Sequence, residues 1–131
     1  MSGRRESLLY VNDMVEAATR IASVCDGVPD ELLLDDPGRS DTLLWRLTVL
    51  GEAAKSTPEV LRAAHPEVAW SEAARLRDRV VHHYDGVDPV EIARVVREDL
   101  PRMLASLLPL QASLLADWER RQTEAGEPPD W

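Results

Sequence analysis

Apolar side chains near the start of the chain recur at intervals of three and four, the period of one buried helix face. Leu8, Val11, Met14, Val15, Ala18, Ile21 and Ala22 predict a helix from Arg5 to about Val24, with Gly27 in "DGVPD" placed to end it. Asp30 can cap a short turn over "ELLLDD", and Pro37 and Gly38 break the chain again. A second long helix is predicted from Ser40 or Asp41 to Lys55, with Leu44, Leu47, Leu50 and Ala54 as its stripe. Gly51 inside it costs about 1 kcal/mol relative to Ala, a cost that close helix packing would explain. Thr57, Pro58 and Glu59 read as N-cap, first helical position and first-turn acid of a short helix that stops before Pro66.

The second half follows the same period. Ser71 is the expected N-cap of a helix carrying Ala74, Leu76, Val80 and Val81, and "YDGVDP" is turn chemistry that should end it near His83. Asp88, Pro89 and Glu91 form a capping-box start. The helix that follows buries Ile92, Val95, Val96, Leu100, Met103, Leu104, Leu107 and Leu108. Pro101 is expected to kink it, and Pro109 to divide it from a last segment, "LQASLLADWERRQ". Apolar and polar residues do not alternate over any useful length, so strands are not expected. The fold class is therefore all-α, an antiparallel helical bundle. We expect the bundle over residues 1–109, a helical extension over 110–122 and a disordered tail over 123–131. Leucines on more than one face suggest burial by a second copy of the chain.

Composition narrows the function classes. A chain of 131 residues is most simply one domain. No apolar run approaches the roughly 20 residues that cross a bilayer, and "MSGRRESLLY" lacks a signal-peptide core. The single Cys25 fits a reducing cytoplasm. The net charge of −9 argues against binding nucleic acid through the overall field. Contact with RNA would need a local basic site, and the acidic surface also suits a basic partner. Trp45 and Trp70 read as core anchors.

The densest chemistry lies in "RLRDRVVHHYDGVDP", residues 75–89. At about 100° per residue, Asp78 and His82 share a helix face, as do Arg77 and Tyr84 if the helix persists. Arg77 and His82 lie roughly 140° apart and would not meet on one regular helix. Two copies of the helix would remove that difficulty. In the functional reading, His82 is an acid–base group near neutral pH and Arg77 neutralises phosphate charge. Asp78 orients His82, and Arg75, Arg77 and Arg79 build a local basic groove. In the structural reading, the histidines stabilise a helix C-terminus through its dipole and the arginines solvate an outer face. Spacing alone favours the second. His82 and His83 diverge too far on a helix to share a metal, so no metal or other cofactor is expected.

The order of "LLWRLTVLGEAAKSTPEVLRAAHPEVAW" and then "LRDRVVHHYDGVDPVEIARVVREDLPRML" changes that balance. Over roughly Leu8–Leu108 the chain resembles the HepT-like family of small helical proteins in the HEPN group. The hallmarks are "GEAAK", "PEVAW" and an Arg-x4-His-x-Tyr pattern at Arg77, His82 and Tyr84. The resemblance implies an RNA-cleaving toxin of an MNT/HepT-type toxin–antitoxin pair. It also implies a homodimer, with Arg77 and His82 of both copies lining one cleft. The implied partner is an MNT-type nucleotidyltransferase antitoxin that transfers AMP to Tyr84. Asp78 stands where many members of the family carry Asn. A second reading makes the chain a non-catalytic dimer, the acceptor subunit of a nucleotidyltransferase. A third makes it a plain bundle whose polar motif only caps a helix.

Overall fold

The computed structural model describes residues 2–124. Three long helices carry the bundle: α1 (Ser2–Cys25), α2 (Pro37–Ser56) and α6 (Leu100–Glu124). Between them lie α3 (Glu59–Ala64), α4 (Trp70–Val80) and α5 (Pro89–Arg94). The expected all-α class holds, with one small exception described below.

Contacts fix the helix directions. Glu16 on α1 lies against Arg46 on α2, while Tyr10 shares a hollow with Ala53 and Ser56, so α1 and α2 run antiparallel. Gln111 Nε2 donates to Asn12 Oδ1 at 2.9 Å, and Arg97, just before α6, donates to the Cys25 carbonyl at 3.3 Å, so α6 also opposes α1. One core joins these helices: Met14, Ala18 and Ile21 from α1, Leu43, Leu47 and Leu50 from α2, Leu76 from α4, and Leu100, Met103 and Leu107 from α6.

Several boundaries shift for local reasons. α2 starts earlier than expected because the Asp36 side chain accepts from the Arg39 amide at 2.8 Å, making Asp36 the cap with Pro37 at the first position. α4 starts at Trp70, whose indole donates to the His65 carbonyl at 2.9 Å. Thr57 is buried, with its hydroxyl turned back to the Ala53 carbonyl. Trp45 departs from expectation: it is 63% exposed and no core anchor.

The two prolines act differently. Residues Val95–Asp99 form a π turn between α5 and α6, with Leu100 alone separating it from Pro101. A proline ring collides with the carbonyl four residues back, and the wider π turn relieves that collision. The expected distortion is thus present. Pro109 does not divide the chain; α6 passes through it to Glu124. Pro109 and Ala105 are exposed, so water can serve the carbonyl that Pro109 leaves without an amide partner. Buried Leu110 and Trp118 anchor the distal half. The expected tail over 123–131 lies outside the described residues except for Thr123 and Glu124, which belong to α6. Among the described residues, no helix is long and apolar enough to cross a membrane.

Candidate active site

Helix α4 buries Trp70, Ala73, Leu76 and Val80 against the bundle and turns Arg75, Arg77 and Asp78 outward. It comes close to α2 because Gly51 has no side chain. A Cβ there would sit 3.3 Å from the Ala74 carbonyl oxygen and 3.4 Å from that of Ala73. The close-packing role expected of Gly51 is therefore present. Above this contact the two helices leave a groove of about 350 Å3. Trp45, Thr48, Glu52 and Lys55 line it from α2, and Arg77 and Asp78 from α4.

The helix stops at Val80, earlier than the expected His83. Val81 turns extended, and Val81–His82 (β1) pairs antiparallel with Gly86–Val87 (β2). Three residues, His83–Asp85, close this hairpin, and Gly86 takes φ +82° to complete the turn. The Asp88 amide donates to the Val80 carbonyl at 2.8 Å and ties the hairpin base to the end of α4. The β-branched Val80–Val81 pair and Gly86 were the available signals, but a two-residue ladder is too short to create an alternating pattern.

This hairpin rearranges the expected site. His82 and Asp78 no longer share a helix face, nor do Arg77 and Tyr84. Asp78 lies beside Arg77 instead, 3.8 Å from its guanidinium. The carboxylate facing His82 is Asp88, whose Oδ2 is 3.6 Å from His82 Nε2. Oδ1 of Asp88 accepts from the Val90 and Glu91 amides and caps α5. The chain pattern announced Asp88 as a cap; its second role follows only from the hairpin. Tyr84 stands at the hairpin tip, 95% exposed, with the His83 ring edge-on to it at 6.0 Å.

Arg79 leaves the expected basic groove. Its guanidinium donates to Glu91 at 2.8 Å, to Glu72 at 3.4 Å and, through a short contact, to Asp99 in the π turn. Arg102 closes the network on Glu72 and Asp99. Burial opposes the charge on Arg79, but hydrogen bonds to Asp99 and Glu91 outweigh it and hold its pKa above the ordinary value. Arg79 therefore joins α4 to the start of α5 and the π turn. Within one chain, Arg77 lines the α2–α4 groove while His82 is not part of its lining. Among the described residues, no three His, Cys, Asp or Glu side chains gather as a metal-binding set.

Residues 14–108 match the family model described as "Ribonuclease HepT-like", a span that includes the groove, the hairpin and Asp88. The chain belongs to this family. It is 34% identical over 94 residues to a protein of Thermococcus cleftensis named "Probable ribonuclease HepT", covering 72% of this chain and 86% of that one. A Caldanaerobacter subterraneus protein named as a putative RNase is 27% identical, covering 72% and 84% of the two chains. A Methanocaldococcus jannaschii protein, also named as a putative RNase, is 29% identical, covering 75% and 81%. No solved structure matches. The HepT-like match ends within α6, one residue before Pro109, so the distal half of that helix lies beyond it.

Proposed function

We propose that this HepT-like ribonuclease is the toxin of a toxin–antitoxin pair and cleaves RNA by metal-independent acid–base chemistry. The observation that carries the reading is the pairing of His82 with Asp88 on a hairpin held at the end of the helix that bears Arg77. RNA brings its own nucleophile. A base takes the proton of a 2′-OH, that oxygen bonds to the adjacent phosphorus, and the P–O5′ bond breaks as an acid protonates the leaving oxygen. The products are a 2′,3′-cyclic phosphate and a 5′-OH. His82 serves as an acid–base group, and Arg77 neutralises charge on the phosphoryl oxygens. Two copies of the chain, as a homodimer, bring one Arg77–His82 set towards the other across a shared cleft.

The test is expression of the chain alone in bacterial cells, with RNA integrity followed beside growth. Wild type is expected to degrade RNA in the cytoplasm and arrest growth, whereas Arg77→Ala and His82→Ala do neither. His83→Ala is expected to keep cleavage, since that ring meets Tyr84. Equal cleavage by wild type, Arg77→Ala and His82→Ala would overturn the proposal.

The same reading makes Tyr84 the off-switch, and its exposure supports that role. Its hydroxyl is accessible to a nucleotidyltransferase antitoxin of the MNT type, which would transfer AMP from ATP and release pyrophosphate. The added phosphate charge near the cleft would repel RNA. If purified chain accepts AMP on Tyr84 yet never cleaves RNA, the chain is the non-catalytic acceptor subunit instead.

A further inference from the structure

We propose that Arg79 is a positioning residue of the ribonuclease: through Glu91 it fixes the start of α5, and with it the Asp88 carboxylate that faces His82. The role rests on the acid–base reading of His82 and lies outside the Arg77–His82–Tyr84 pattern. The Arg79 guanidinium is fully engaged within the protein. Nε donates to Glu91 Oε2 at 2.8 Å, Nη1 to Glu72 Oε1 at 3.4 Å and Nη2 to Asp99 Oδ2. A group surrounded by three carboxylates has little positive charge to offer a phosphate. Glu72 belongs to α4 itself, Asp99 is almost fully buried, and Arg102 bonds both. Those two acids anchor the Arg79 side chain to the bundle. Glu91 is the partner that Arg79 in turn holds.

α5 needs such a hold. It is six residues long, and among them Ile92 alone is buried; a helix this short does not keep its first turn fixed by itself. Two neighbouring residues of α4 fasten that turn. The Val80 carbonyl accepts from the Asp88 amide at 2.8 Å, and Arg79 grips the Glu91 carboxylate. One bond at Asp88 would let α5 pivot about it, and the second bond removes that freedom. The Glu91 amide donates to Asp88 Oδ1 at 3.2 Å, and Asp88 Oδ2 stands 3.6 Å from His82 Nε2. Arg79, Glu91, Asp88 and His82 therefore form one continuous series of contacts. Arg94 also meets Glu91, at 3.3 Å, but it lies on α5 and cannot tie that helix to α4. The planar fork of arginine is what reaches Glu91 and Asp99 from separate nitrogens; the point charge of lysine cannot.

The experiment measures kcat and KM of the full chain on a fluorogenic single-stranded RNA oligonucleotide, with folding checked by circular dichroism. Arg79→Ala and Glu91→Ala are expected to lower kcat by about fivefold at nearly unchanged KM. Glu91→Gln still accepts from Nε and should recover most of that loss. In an Asp88→Asn background neither alanine change should lower kcat further, because the charge they position is already gone. Nitrogen-15 shifts of the His82 ring should move in the same direction in Arg79→Ala as in Asp88→Asn. Unchanged kcat in folded Arg79→Ala and Glu91→Ala overturns the proposal. Losses that multiply with that of Asp88→Asn also overturn it and assign Arg79 to the fold at large. A rise in KM alone overturns it and assigns Arg79 to RNA contact. Should Arg79→Ala fail to fold, Glu91→Ala carries the test, since Arg79 then keeps Asp99 and Glu72. His82→Ala separates this role from the reading beneath it. If His82→Ala cleaves as wild type does while the ring shifts move in Arg79→Ala, the acid–base reading fails and the positioning of Asp88 stands. If His82→Ala is inactive and Arg79→Ala cleaves normally with unmoved ring shifts, only the role of Arg79 fails.

Discussion

Asp88 uses its two carboxylate oxygens on different elements: Oδ1 caps α5 and Oδ2 faces His82 Nε2 at 3.6 Å. Helix capping thereby fixes the position of the charge that the imidazole sees. In the neutral ring, a proton on Nε2 towards Asp88 leaves Nδ1 as the base. Asp88→Asn retains an acceptor for the cap and removes the charge. It is expected to keep its Tm and lose about fivefold to tenfold in cleavage, the scale of a charge contact at this distance in a partly hydrated site. Asp88→Ala loses the cap too, at about 1 kcal/mol. Nitrogen-15 chemical shifts of the His82 ring report the tautomer directly. Full activity in Asp88→Asn with an unchanged tautomer would remove Asp88 from the site.

The Arg79 network makes a separate demand on stability. Asp99 is almost fully buried in the π turn and bonds both Arg79 and Arg102. Asp99→Ala leaves part of the guanidinium without its acceptor, at a cost of about 1–3 kcal/mol or a fall in Tm of roughly 5–10 °C. Asp99→Asn keeps one acceptor and should lose less. A thermal melt distinguishes these outcomes, and an unchanged Tm for Asp99→Ala would show that Glu72 and Glu91 suffice.

The helical frame was legible because Met14, Ala18, Ile21, Leu47, Leu50, Leu76, Met103 and Leu107 repeat with helical period and face one core. Capping chemistry announced Asp88, Pro89 and Glu91 as a helix start for the same local reason. The arrangement around His82 was not legible. A helix continued by two residues would set Asp78 beside it, whereas the hairpin sets Asp88 there. Only the pairing of Val81 with Val87 decides between them. Arg79 misled in a related way, since its carboxylate partners lie as far as 20 residues along the chain. Trp45 carried a signal in its phase relative to Leu43 and Leu47, but an exposed aromatic runs against the usual burial of such side chains.

Cys25 should behave as a core side chain. It is fully buried, and burial pushes its thiol pKa up, with Arg97 and Arg39 pulling only partly back. Native chain is therefore expected to react with a thiol reagent only as it opens, and urea should accelerate labelling in step with unfolding. The folded thiol keeps its proton to higher pH than the unfolded one. Stability from this group is thus full below the ordinary thiol value of 9.0 and falls as pH rises from there through the raised value. Cys25→Ala should flatten that part of the stability–pH curve. Rapid stoichiometric labelling of native chain would contradict the burial.

Gly51 tests whether the α2–α4 approach matters for chemistry as well as for folding. Replacing glycine in a helix by alanine ordinarily gains about 1 kcal/mol. Here the new Cβ would press on two carbonyl oxygens of α4, at 3.3 Å and 3.4 Å, and backbone yields less readily than a side-chain tip. Gly51→Ala is expected to forfeit the usual gain and leave Tm nearly unchanged. Gly51→Leu cannot be absorbed and should destabilise by about 1–3 kcal/mol. α4 carries Arg77 and leads directly into His82, so cleavage should fall further in Gly51→Leu than the folded fraction accounts for. Assays at a temperature where the variant remains folded separate the two effects. Normal cleavage by folded Gly51→Leu would mean that the groove width between α2 and α4 does not control the site.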